Sequence, residues 1–151
     1  MKLSDILDSA CVRVPLGATN KKDAIRELVD LLHEHVGFSD RDAVLAAVIA
    51  REETRSTGIG HGLAVPHGKT SGCRSLCMAL GKPAEPIDFD SPDGQPCEVI
   101  VLLASPPDKT GPHIQALASI SRLWLTESFR SEVSRAQTAD HIYRIIREHQ
   151  S

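Results

Sequence analysis

Residues 97–104, CEVIVLLA, hold the most apolar run of the chain, Val99 to Ala104. The run has the length of a strand and falls far short of the roughly 18 apolar residues that span a bilayer. Its apolar residues are continuous rather than alternating, which is the pattern of a strand covered on both faces. Such a strand needs helices on each side, and the flanking sequence supplies them. Upstream, NKKDAIRELVDLLHEHVGF repeats Ala24, Ile25, Leu28, Leu31, Leu32 and Val36 at three- and four-residue steps, an amphipathic helix stopped at Gly37. Ser39, three residues before Asp42, is placed to cap a second helix through DAVLAAVIAREET, with Val44, Ala47 and Val48 on its apolar stripe. Downstream, helices are expected at His113–Leu125, at Glu127–Arg135 opened by Thr126, and at Ala139–His149 opened by Thr138. Residues 10–16 and 75–80 read as further strands, and the Pro-, Asp- and Gly-rich stretch 82–96 as loop with a short turn of hairpin. Helices at both ends with strands between them give an α/β fold, a mixed sheet flanked by helices on both faces with a helical C-terminal half.

The bulk composition narrows the function classes. The chain has 151 residues, 41% hydrophobic and 25% charged, the make-up of an ordinary globular chain with no linker long enough to divide it. A formal net charge of −3 and only 3% aromatics exclude a basic, base-stacking surface, so no nucleic-acid partner is expected. Asp5 and Asp8 interrupt the N-terminus where a signal peptide needs an apolar stretch, which points to a cytoplasmic protein without direct membrane insertion. Cys11, Cys73, Cys77 and Cys97 form no C-x-x-C pair and read as reduced, mostly buried thiols.

The chemistry concentrates in residues 51–69, REETRSTGIGHGLAVPHGK. Gly58, Gly60 and Gly62 let the backbone approach a ligand closely. Ser56 and Thr57 add hydroxyls, and Arg51 and Arg55 bring positive charge to the end of the preceding helix. His67 stands between Pro66 and Gly68 on a segment extended by the proline. The set suits an anion held beside an imidazole. A neutral imidazole is a competent nucleophile near neutral pH and forms a covalent phosphoramidate with a phosphoryl donor. Guanidinium, hydroxyl and backbone N–H donors suit the highly charged group in transfer. No GKS or GKT follows the glycines, so a nucleotide-binding P-loop is not indicated.

Gly60-His61-Gly62-Leu63-Ala64-Val65-Pro66-His67 resembles the active-site signature of the mannitol/fructose-type IIA domains (EIIA type 2) of the bacterial phosphoenolpyruvate-dependent phosphotransferase systems. The opening KLSDIL, the Arg51-Glu52 pair, Ser56-Thr57-Gly58-Ile59-Gly60, the helix HIQALASIS headed by His113 and the closing YRIIRE fall in family order, so the resemblance covers nearly all of residues 1–151 as a single domain. It implies a phosphotransferase of the phosphohistidine-carrier kind. His67 would be the phosphoryl acceptor through Nε2, with Nδ1–H held by a backbone carbonyl. Arg51 and His113 would face the phosphoryl group, with Ser56, Thr57 and Gly58 bordering the pocket. The implied partners are an HPr-like phosphocarrier protein as donor and regulatory target proteins or a IIB domain downstream. No cofactor or metal is implied beyond the transient phosphohistidine. The LSDIL opening and the TGIG-x-G-x-A pattern look more like the nitrogen-regulatory IIA proteins than a sugar-specific IIA component. A histidine that no longer turns over, in a pure regulatory module, is the further alternative, and a metal held by His67 and His113 lacks the remaining ligands. Docking is expected on an apolar patch drawn from Ile59, Leu63 and the 105–113 loop. Trp124 reads as core or rim, His61 as a solvated loop residue, and His33, His35, His141 and His149 as exposed.

Overall fold

A computed structural model describes residues 1–150; Ser151, the last residue of the expected domain, lies outside the described residues. Its centre is β6 (Val99–Ser105), buried at all seven positions. One edge of β6 pairs antiparallel with β5 (Cys77–Pro83), which pairs in parallel with β1 (Leu7–Leu16). The other edge is shared in parallel by two short strands, β3 (Leu63–Ala64) and β4 (His67–Lys69). An antiparallel β2 (Gly58–Gly60) completes the six-stranded mixed sheet beyond β3. Each fully buried Val, Ile or Leu of β6 contributes about 1.5–3 kcal/mol relative to exposure, so this strand fixes the register of its neighbours.

Helices α1 (Lys21–Val36) and α2 (Arg41–Thr54) precede the glycine-rich strands, and α3 (Thr110–Leu125), α4 (Glu127–Arg135) and α5 (Ala139–His149) close the chain. Asn20 caps α1 by accepting from the Asp23 N–H, and Gly37 ends it in the left-handed region at φ 68°. The cap of α2 is Asp40, whose carboxylate accepts from the Ala43 N–H at 3.0 Å, rather than Ser39. Ser39 donates instead to the Gly72 carbonyl. Thr138 caps α5 as expected, but Thr126 does not cap α4; its hydroxyl turns back to the Arg122 carbonyl.

The strand boundaries also differ from the sequence reading. β1 starts at Leu7 rather than residue 10, because Leu7 already stands opposite Met78. β5 runs 77–83 rather than 75–80, since Cys73 closes a turn onto Thr70 and Ser75 is exposed. The 82–96 stretch holds one antiparallel bridge, Ile87 to Cys97, as its fragment of hairpin. All four cysteines are free and buried. No helix of the described residues is long and apolar enough to cross a membrane.

Gly68 decides how α2 meets the sheet. A Cβ there would lie 3.0 Å from Val48 N and 3.1 Å from Ala47 C, so the backbone of α2 rests directly on β4. The adjacent residue, His67, points to the opposite face, where it meets His113 of α3. Helices therefore cover both faces. Gly68→Ala is expected to push α2 off β4 and cost about 1–3 kcal/mol of stability by overpacking, read from the urea midpoint; an unchanged midpoint would contradict this packing.

Candidate functional site

A relay of hydrogen bonds sets the orientation of His67. Glu52, in the last turn of α2, is buried and accepts from both the N–H (2.7 Å) and the hydroxyl (2.8 Å) of Thr57. The Thr57 carbonyl accepts from the Val65 N–H at 3.1 Å, and the Leu103 N–H of β6 donates to the Pro66 carbonyl at 3.0 Å. With Val65 and Pro66 pinned from both sides, the Val65 carbonyl sits 2.8 Å from Nδ1 of His67. A carbonyl only accepts, so Nδ1 carries the proton and Nε2 keeps its lone pair. His67 is half-buried, and burial and the nearby Arg51 charge lower its pKa against the raising effect of the Val65 contact. The ring is thus neutral at neutral pH with its nucleophilic nitrogen defined.

His113 lies in the first turns of α3, 1% exposed, its ring centroid 5.4 Å from that of His67. Its Nδ1 contacts the Ser105 hydroxyl at 2.6 Å. Burial, then the charges of His67 and Lys69, push its pKa down to about 4.

His67 opens into a cleft of about 280 Å³ lined also by Arg51, Arg55, Thr57, Ile59, Leu117 and Ser121. Arg51 reaches it because it stands one helical turn beyond Ala47, which Gly68 holds against β4. One Nη1 of Arg51 donates to the Arg55 carbonyl at 2.8 Å. Among the described residues, Arg51, Arg55 and Lys69 form no ion pair, so three cations around His67 lack a carboxylate partner. Among the same residues, no group of three or more His, Cys, Asp or Glu side chains gathers to hold a metal ion.

The remaining site residues named from the sequence shape the cleft but do not aim hydroxyl protons into it. The Thr57 hydroxyl is committed to Glu52. The Ser56 hydroxyl donates to the Phe89 carbonyl and accepts from the Gly58 N–H. Gly58 allows close approach of the 89–91 segment, since a Cβ there would sit 2.0 Å from the Ser91 hydroxyl. Leu63 is fully buried in the sheet and takes no part in a docking patch, whereas Ile59, which lines the His67 cleft, is 42% exposed and Ile114, next to His113 on α3, is 59% exposed. Trp124 is core, and its indole N–H donates to the His61 carbonyl, tying the glycine loop to α3. His61 itself is exposed, as are His33, His35 and His141, but His149 is half-buried against Phe129 and paired with Glu132. Sequence reasoning gives no role to Lys69 or Ser105, and Glu52 enters it only within the Arg51-Glu52 pair, without a function. Lys69 carries a local signal: two residues from His67 on a strand, it shares the histidine's face.

This arrangement has counterparts of known family. Residues 5–149 match the family described as the phosphoenolpyruvate-dependent sugar phosphotransferase system, EIIA 2. The chain belongs to this family. Among relatives of the EIIA 2 domain, it is 32% identical over 99% of its length to the fructose-specific EIIABC component of Bacillus subtilis, of which it spans 24%. It is 31% identical over 97% of its length to a nitrogen regulatory protein of Bradyrhizobium diazoefficiens, of which it spans 95%. In structure it is similar to the nitrogen regulatory protein IIA-Ntr of Neisseria meningitidis, with a TM-score of 0.86, 29% identity, and coverage of 95% of this chain and 97% of that one.

The buried histidine gives this EIIA 2 domain a pH signature. The fold keeps His113 neutral down to about pH 4, whereas the unfolded chain protonates near 6.5. Between those values the unfolded state binds the extra proton, so stability falls as pH drops through the window. A loss on the order of 2 kcal/mol from pH 7 to pH 5 is expected from this group, read by urea denaturation. His113→Gln is expected to flatten the slope, and an equally steep slope in that variant would assign it elsewhere.

Proposed function

We propose that this chain accepts a phosphoryl group from an HPr-like phosphocarrier protein on Nε2 of His67 and passes it on, as the nitrogen-regulatory IIA component of a phosphotransferase system in the cytoplasm. The observation that carries this reading is the 2.8 Å contact between Nδ1 of His67 and the Val65 carbonyl, which leaves Nε2 unprotonated beside a cleft of unpaired cations. In the transfer step the Nε2 lone pair forms the new N–P bond while the donor's phosphoryl bond breaks. Proton and carbonyl stay together at Nδ1, where the hydrogen bond stabilises the positive charge that the ring acquires. Arg51, Arg55 and Lys69 offset the phosphoryl charge, which is where catalysis of such transfers is concentrated. Ile59 and Ile114 supply the apolar contact for a partner approaching His67, with the cations at its rim. The nitrogen-regulatory branch is supported by relatives of matching length and by the likeness to IIA-Ntr.

A second reading is a sugar-specific IIA component that passes phosphate to a IIB domain. It is favoured by the 32% identity to the fructose-specific EIIABC component. Both readings share the same phosphohistidine.

The test is phosphoryl uptake from phosphoenolpyruvate through an Enzyme I-type kinase and an HPr-like carrier, followed by intact mass and acid lability. One acid-labile phosphate is expected on the wild type and none on His67→Ala. His113→Ala is expected to slow uptake by about 10²-fold, the scale of losing one donor to a transferring group. A His67→Ala variant that still gains the labile phosphate would place the acceptor on another residue.

A further inference from the structure

Ser105 closes β6 fully buried, and its backbone is fixed from outside: it stands in register with Lys69 and its carbonyl accepts from the Thr70 N–H at 3.0 Å. Its hydroxyl lies 2.6 Å from Nδ1 of His113 and has no other hydrogen-bond partner among the described residues. Two proton arrangements are available. If Nδ1–H donated to Ser105, the hydroxyl proton would be buried without an acceptor and Nε2 would be a buried lone pair without a donor. If the hydroxyl donates to the Nδ1 lone pair, the neutral ring carries its proton on Nε2 and one buried group is left unpaired instead of two. The structure shows that group: Nε2 of His113 is the buried side-chain nitrogen or oxygen without a partner among the described residues. It belongs to a ring 5.4 Å from His67.

We propose that Ser105 is a positioning residue that fixes His113 as an Nε2–H donor toward a phosphoryl group on His67. The inference rests on the phosphoryl acceptance proposed for His67. A phosphoryl oxygen is the acceptor that this orphaned N–H lacks in the free protein. The opposite tautomer would present a lone pair to a negatively charged oxygen and repel it. Burial supports the assignment by keeping the ring neutral, so that a tautomer exists to be chosen.

The experiment is 15N NMR of the imidazole rings at neutral pH in wild type, Ser105→Ala and Ser105→Thr, paired with the rate of phosphoryl uptake from an HPr-like carrier. Wild type and Ser105→Thr are expected to hold the His113 proton on Nε2. Ser105→Ala is expected to mix the tautomers and to slow uptake about tenfold, less than outright loss of the donor, with Thr restoring the rate. A wild-type His113 protonated on Nδ1, or a Ser105→Ala variant that keeps the wild-type tautomer or rate, would overturn the proposal. The wild-type spectrum decides the tautomer even if Ser105→Ala fails to fold. It also needs no phosphoryl donor, so a chain that takes up no phosphate would sink the function proposed for His67 while leaving the tautomer independently measured.

Discussion

Both histidines are delivered by one strand. Leu103 of β6 stands opposite His67 and donates to the Pro66 carbonyl, while two residues further on Ser105 reaches His113. β6 is buried along its whole length and paired on both edges, so neither contact point moves without breaking the sheet. The separation between His67 and His113, 46 positions apart in sequence, thus becomes a property of two positions, Leu103 and Ser105, two residues apart on a single rigid element. The functional side chains sit on short or terminal pieces, and the rigidity comes from what they are paired to.

At His67 burial and the Arg51 and Lys69 charges outweigh the opposing Val65 contact and Glu52 charge, and at His113 burial and the neighbouring charges act together. Desolvation holds both imidazoles neutral, and the surrounding cations discourage their protonation further. A neutral nucleophile thereby stands in a positive surrounding, which attracts a phosphoryl group without quenching the nitrogen that would receive it. The buried carboxylate nearby, Glu52, accepts from the Thr57 N–H and hydroxyl, which ties it to the backbone, and its charge partly offsets the cations at His67.

The parts legible in the sequence are those with a long period or a local signal. The 3.6-residue repeat of α1, with Gly37 past its end, and the unbroken apolar run of β6 announce themselves within their own residues. β2 and β4 do not, and of β3 only the extended backbone before Pro66 is legible. β2 and β4 are three residues long and carry Gly58, Gly60 and Gly68, residues of low strand preference; β3 and β4 are strands because distant β6 offers its edge, and β2 because β3 is then there to pair with it. The cap of α2 fell between adjacent acceptors, Ser39 and Asp40, which sequence spacing does not separate. At the site, the motif brought His67, Arg51 and His113 into view, and the fold gathers them. It gave no sign that the Ser56 and Thr57 hydroxyls turn to Phe89 and Glu52, nor that Leu63 faces inward, because the partners of Ser56 and Thr57 come from other segments and the two-residue β3 is too short to show an inward face by alternation.

On this reading the Val65 carbonyl seals one nitrogen of His67 and leaves the other to react. This division is tested most directly by the position of the phosphoryl bond, read from 31P and 15N NMR of the phosphorylated, ring-labelled protein. Phosphorus is expected on Nε2 of His67, with Nδ1 still protonated. Phosphorus on Nδ1 would require the 2.8 Å contact with Val65 to break and would contradict it.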